Sequence, residues 1–304
     1  MSDPAVGIEN RPIGSPAVPD PRFGLTSASA QRPVVAWLGL GAMGLPMAAR
    51  LAAVGWDVWG VDLSASRRDT ARKTGIRIAA DPADAGRRTE RFVVCIVRTA
   101  AQVEEALLGE RGALRTTPGR CGIVMSSIGA EPVRDLAARA RTLGCTLVDA
   151  PVLGNAEAAA AGALTIVTSG AAADIAAARP LLTALASSVV DLGRTPGTGQ
   201  VMKIVSQMLQ IVGMVATLEA MEMAVAQGVA EDVVLRVLGE TAPSWAVERW
   251  DYVCDLWKRR DPATSLGIFA KDLAAALADA TQVDVGLPLT EAALRILDAR
   301  MRHD

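Results

Sequence analysis

Lys203 is the only charged side chain between Gln200 and Leu218, in a largely apolar stretch. A lysine in such surroundings loses hydration, which draws its pKa toward the range where it exchanges protons. Gln207 lies four residues on, hence on the same face of a helix, and its amide can hydrogen-bond an oxygen held beside the lysine. Both residues also have ordinary readings: Lys203 snorkelling to solvent from a first helical turn, and Gln207 as a buried structural amide. The single histidine, His303, is second from the C-terminus. A histidine triad, a histidine general base and a multi-histidine metal site are therefore not expected, and no metal is.

A second cluster of chemistry opens the ordered part of the chain. Val34 to Leu38 runs into Gly39-Leu40-Gly41-Ala42-Met43-Gly44 and then into a helix-like Leu45 to Leu51. In such a turn the first glycine permits tight reversal, the second lets backbone approach a pyrophosphate, and the third lets helix pack on strand. The next apolar run ends at Asp62, the spacing at which an acid accepts hydrogen bonds from an adenosine ribose. Asp62 would repel a ribose 2′-phosphate and Leu63 offers it no charge, so NAD is expected. Ser64, Arg67 and Arg68 leave NADP open, their ordinary reading being a capped, solvated helix start.

The elements that must carry these residues are legible in outline. Apolar runs near 34–38, 57–61, 92–97, 122–125, 146–149, 164–168 and 188–192 alternate with helical, Ala- and Arg-rich segments. This predicts an α/β Rossmann domain with a mostly parallel, doubly wound sheet. Beyond Gly199 the strand runs cease, and 200–227 reads as one long buried helix joining an all-α domain, with further helices near 231–239, 245–257, 266–282 and 289–302. The expected divisions are a flexible leader over 1–32, a dinucleotide-binding domain over 33–196 and a helical substrate and oligomerisation domain over 197–304.

Net charge is −2 over 304 residues, which gives no electrostatic reason to expect nucleic acid or an anionic membrane as partner. No run is expected to reach the ~18 apolar residues of a membrane span. The four cysteines lack CxxC spacing and read as buried thiols of a cytoplasmic protein.

Six ordered motifs resemble the β-hydroxyacid dehydrogenases related to 3-hydroxyisobutyrate dehydrogenase and 6-phosphogluconate dehydrogenase. They are the glycine turn, Ser126-Ser127-Ile128, Asp149-Ala150-Pro151-Val152, Gly162 to Thr165, Gly197-Thr198-Gly199-Gln200-Val201-Met202-Lys203, and Phe269-Ala270-Lys271-Asp272-Leu273. Gln207, with Ser244-Trp245 through Arg249, looks like the L-threonate dehydrogenase branch. The resemblance implies that Lys203 is the catalytic acid–base group, that Ser127 lies beside the nicotinamide, that Thr99 approaches the cofactor ribose, that Val97 also borders the cofactor, and that Lys271 reaches the cofactor from the helical domain. It also implies a small hydroxy-acid or carbonyl substrate and a homodimer or tetramer.

One departure stands out. Family members usually have a serine followed by two glycines where this chain has Leu153-Gly154-Asn155. A substrate carboxylate must then rely on the backbone amides of Gly154 and Asn155 or on the Asn155 side chain. Two readings stay open: backbone amides suffice, or the substrate is bulkier and less polar. Trp245 reads as packing, with pocket lining as its alternative. Imine reductases share this architecture but typically lack a lysine at the position of Lys203; a non-catalytic dinucleotide-binding scaffold is the remaining alternative.

Overall fold

The computed structural model describes residues 32–258 and 262–302. The expected leader, apart from Arg32, and His303 lie outside the described residues. Six parallel strands form the main sheet: β1 Val34–Leu38, β2 Asp57–Val61, β3 Arg77–Ile78, β4 Phe92–Cys95, β5 Cys121–Val124 and β6 Thr146–Asp149. Their order, β3-β2-β1-β4-β5-β6, reverses direction between β1 and β4, so the crevice beyond the carboxyl ends of these two strands is where a doubly wound sheet receives its ligand.

Side-chain alternation explains why the sheet is covered on both faces. Val35 and Trp37 of β1 enter one buried cluster, with Met47, Leu51 and Ile123, whereas Ala36 and Leu38 enter the other, with Val93, Leu107 and Leu136. The helices α1 Gly44–Ala53, α2 Ala65–Arg72, α3 Pro82–Arg88, α4 Ala100–Leu108 and α5 Ala130–Thr142 make the intervening connections. A smaller sheet follows, built from β7 Val152–Leu153, β8 Leu164–Thr168 and β9 Ala186–Asp191, with α6 Ala156–Ala161 and α7 Ala172–Leu185 between them. Here β7 runs antiparallel to β8. Neither β3 nor β7 was expected: at two residues each, they are too short to show alternation.

Beyond β9 the described chain is all-helical: α8 Thr198–Ala226, α9 Glu231–Thr241, α10 Trp245–Glu248, α11 Trp250–Lys258, α12 Pro262–Gln282 and α13 Pro288–Arg302. The single helix expected over 245–257 is broken, because Arg249 leaves the helical region at φ −122°, ψ 35°. Two further expectations are corrected at α8. Its most apolar 18-residue window has a mean hydropathy of 1.6, so by length and composition alone the helix is apolar enough to cross a membrane. It is also not buried all round: Ile211, Met214, Val215 and Met221 are buried, while Leu209 and Met223 are about two-thirds exposed at 64% and 67%. Its inner face packs on α12 and α13 in a cluster with Trp250, Leu266, Leu273 and Leu297.

Candidate active site

The glycine turn sits at the end of β1, and its three glycines meet different constraints. Gly39 has φ +104°, and a Cβ there would lie 2.1 Å from the Ile96 carbonyl oxygen. A Cβ on Gly44 would lie 2.2 Å from the Gly39 carbonyl oxygen, so the start of α1 can sit on the turn only without a side chain. Around Gly41 there is nothing within 4 Å of the added Cβ. That open space fits a group approaching the backbone from outside, as a pyrophosphate would. Leu40, Ala42 and Met43 complete the turn, with Met43 at the N-cap of α1.

Asp62 follows β2 and is tied to this turn. Its Oδ2 accepts the Leu40 N–H at 2.8 Å and its Oδ1 accepts the Ser64 N–H at 2.8 Å. Arg67 approaches Oδ2 at 3.6 Å, and Arg68 donates to the carbonyls of Asp62 (2.7 Å) and Leu63 (2.9 Å). Ser64 caps α2 through Arg67 N–H. Both arginines thus have local partners, and the Leu63 side chain points out, 94% exposed. Asp62 therefore braces the glycine turn against the start of α2.

Across the switch point, Val97 donates its N–H to the Ser126 hydroxyl at 2.7 Å. Thr99 caps α4 by accepting the Gln102 N–H at 3.2 Å. Lys271, from α12, donates to the Arg98 carbonyl at 3.5 Å, which brings the helical part onto the loop between Val97 and Thr99. Cys95 ends β4 in the core, where burial pushes its thiol up to about 12 and removes it as a nucleophile near neutrality.

Lys203 and Gln207 lie one turn apart on α8, both partly buried. Burial pulls the Lys203 ammonium below the ordinary lysine value, and the Asp272 carboxylate opposes that shift. Gln207 donates from Nε2 to Asp272 Oδ2 at 3.2 Å. A carboxylate only accepts, so this contact fixes the amide orientation and leaves Gln207 Oε1 and one N–H for another ligand. Nothing local in the sequence marks Asp272 for this contact, because its partner lies 65 residues away; its place beside Lys271, on the helix facing α8, is the one available signal.

At the third loop, Gly154 has φ +130° and Asn155 caps α6, its Oδ1 accepting the Ala158 N–H at 2.9 Å. The Asn155 Nδ2 group remains as the side-chain donor of this segment, and Leu153 is half-buried in β7. Ser127 is half-buried after β5. Trp245 stands edge-on to Tyr252, ring centroids 6.0 Å apart, and packs on the helical core. A groove of about 640 Å³ lies elsewhere, lined by Val215, Leu218, Trp250, Trp257 and Ile296 among others, and includes none of the expected site residues.

The comparisons fall on this arrangement. Residues 34–193 match the model of the NAD binding domain of 6-phosphogluconate dehydrogenase, and residues 197–304 match the NAD-binding model of NADP-dependent 3-hydroxyisobutyrate dehydrogenase. The chain belongs to the β-hydroxyacid dehydrogenase family. Among curated members, L-threonate dehydrogenase of Escherichia coli K12 is 34% identical over 85% of this chain and 86% of its own length. The NAD-dependent L-serine dehydrogenase of Pseudomonas aeruginosa is 33% identical over 70% and 72%. The crystal structure of a 3-hydroxyisobutyrate dehydrogenase from Salmonella typhimurium superposes with TM-score 0.75 at 30% identity, covering 88% of this chain and 93% of that one. As a β-hydroxyacid dehydrogenase the chain is an NAD(P)-dependent oxidoreductase.

Proposed function

We propose that the chain moves hydride between the CH–OH carbon of a small hydroxy acid and a nicotinamide cofactor, with Lys203 as acid–base group and Gln207 holding the reacting oxygen. The carrying observation is Lys203 itself: an amine whose charged form is disfavoured by burial, one turn from an amide oriented by Asp272. When bound, the cofactor supplies the hydride acceptor or donor. In oxidation neutral Lys203 Nζ takes the hydroxyl proton; in reduction its ammonium returns it. The turn Gly39 to Gly44 would hold the pyrophosphate, Asp62 the adenosine ribose, Val97 and Thr99 the second ribose, and Ser127 and Lys271 the nicotinamide end. The Asp62 carboxylate supports NAD over NADP.

L-threonate or a less polar analogue is the substrate proposed. The names of the relatives support the hydroxy acid, and Leu153, with no donor to offer, supports reduced polarity beside the reacting carbon. The carboxylate would meet the backbone amides of Gly154 and Asn155 and the Asn155 Nδ2 group. The division at residues 196 and 197 and a homodimer or tetramer formed through the helical part complete the reading, in a cytoplasmic setting. Exposed apolar side chains along α8 support such an assembly.

The test is a panel of L-threonate, L-serine, 3-hydroxyisobutyrate and a cyclic imine, each with NAD(H) and NADP(H), run with the parent and Leu153→Ser. Turnover of a hydroxy acid is expected, faster with NAD, and Leu153→Ser should raise kcat/KM for L-threonate relative to 3-hydroxyisobutyrate. Reduction of the imine without oxidation of any acid would overturn the reading, as would cofactor binding with no turnover at all.

A further inference from the structure

Gln200 and Asp149 are buried polar residues that the acid–base chemistry leaves unused, at 1% and 0% exposure. Every hydrogen-bonding valence of the Gln200 amide is filled. Its Oε1 accepts the N–H groups of Ile128 (2.9 Å) and Gly129 (3.2 Å). Its Nε2 donates to the Ser126 carbonyl (3.1 Å) and to Asp149 Oδ1 (2.7 Å). The other carboxylate oxygen, Oδ2, accepts the N–H groups of Gly197 (3.0 Å) and Gln200 (3.2 Å) and the Ser169 hydroxyl (3.1 Å). Ser169 in turn accepts the Gly199 N–H at 3.3 Å. A Cβ at Gly199 would stand 2.8 Å from Asp149 Oδ2, so the helix start closes on the carboxylate without room for a side chain.

These bonds join four separate segments: the Ser126–Gly129 loop after β5, the end of β6, Ser169 just after β8, and the first turn of α8. Lys203 lies three residues beyond Gln200 on that helix, and Ser127 lies within the clamped loop. Ser126 extends the connection to the loop after β4 by accepting the Val97 N–H. Burial pushes the Asp149 carboxyl above its ordinary value, and the four donors around it oppose that shift. A fully satisfied network of this kind specifies one geometry, because any displacement strands several buried polar groups together.

We infer that Gln200 and Asp149 are positioning residues that hold Lys203 in register with the Ser127 loop. This rests on Lys203 being the acid–base group. A misplacement of about 1 Å from a remote change can cost about a hundredfold in rate, which sets the scale of the expected effect. Gln200→Met keeps the side-chain length and removes all four side-chain bonds; Ser169→Ala removes only the bridge between Asp149 and Gly199 and is the milder variant.

The experiment measures kcat, KM and the dissociation constant of the dinucleotide for both variants and for Lys203→Ala, at a temperature well below each variant's melting midpoint, with the panel acid turned over fastest. A positioning role predicts kcat lower by about tenfold or more in folded Gln200→Met, and by about threefold or more in Ser169→Ala, with the dinucleotide constant within about threefold of the parent. Should Gln200→Met fail to fold, Ser169→Ala decides. A kcat within twofold of the parent in the folded variant that decides the test overturns the inference, even where the melting midpoint has dropped. Lys203→Ala separates the two claims: activity retained there defeats the acid–base reading, whereas loss there combined with full activity in the deciding variant defeats only the positioning role.

Discussion

Two influences of opposite sign act on Lys203: burial favours the neutral amine and Asp272 favours the ammonium. Oxidation needs the neutral amine, so kcat/KM should rise with pH and level off below the pH at which an ordinary lysine would. Asp272→Asn keeps an acceptor for Gln207 and removes the charge, leaving burial unopposed. The rising limb should then shift to lower pH in a pH–rate profile of the oxidative direction. An unmoved or upward-shifted limb would contradict the pairing. Lys203→Met should leave the melting temperature at pH 7 equal or slightly higher, because a half-buried ammonium is replaced by an apolar chain of similar length.

At the scale of elements, the glycine turn separates fold from function. Gly39 and Gly44 are demanded by close backbone contacts, whereas Gly41 faces open space. Gly41→Val should therefore hold its melting temperature within about 2 °C while weakening dinucleotide binding about tenfold or more in a fluorescence titration. Gly44→Val should lower both. Equal loss of stability in the two variants would show that Gly41 is structural too. This turn was readable because strand, glycines and helix are adjacent in the chain. The Gln207–Asp272 contact and the Gln200–Asp149 network were not, since they join residues 20 to 74 positions apart and each partner alone is an ordinary polar residue. The break at Arg249 escaped for another reason: no Pro or Gly marks it, and Trp250, whose indole N–H meets Glu231 at 2.6 Å, shows tertiary contacts beside it.

On the scale of the whole molecule, the strand runs and the loss of β-branched runs beyond Gly199 made the α/β-then-α plan legible. The degree of burial of α8 was not legible: an apolar helix reads as buried, yet Leu209 and Met223 lie open in the isolated chain. A second copy covering that face would resolve the discrepancy, and Leu209→Glu should shift the mass measured by light scattering toward the monomer. An unchanged mass would place any interface elsewhere. The central claim, proton transfer by Lys203 during hydride transfer, is tested most directly by the kcat of Lys203→Ala saturated with dinucleotide, without and with added methylamine. A fall of about a hundredfold or more, partly restored by the amine, is predicted; a kcat within a few-fold of the parent would contradict it.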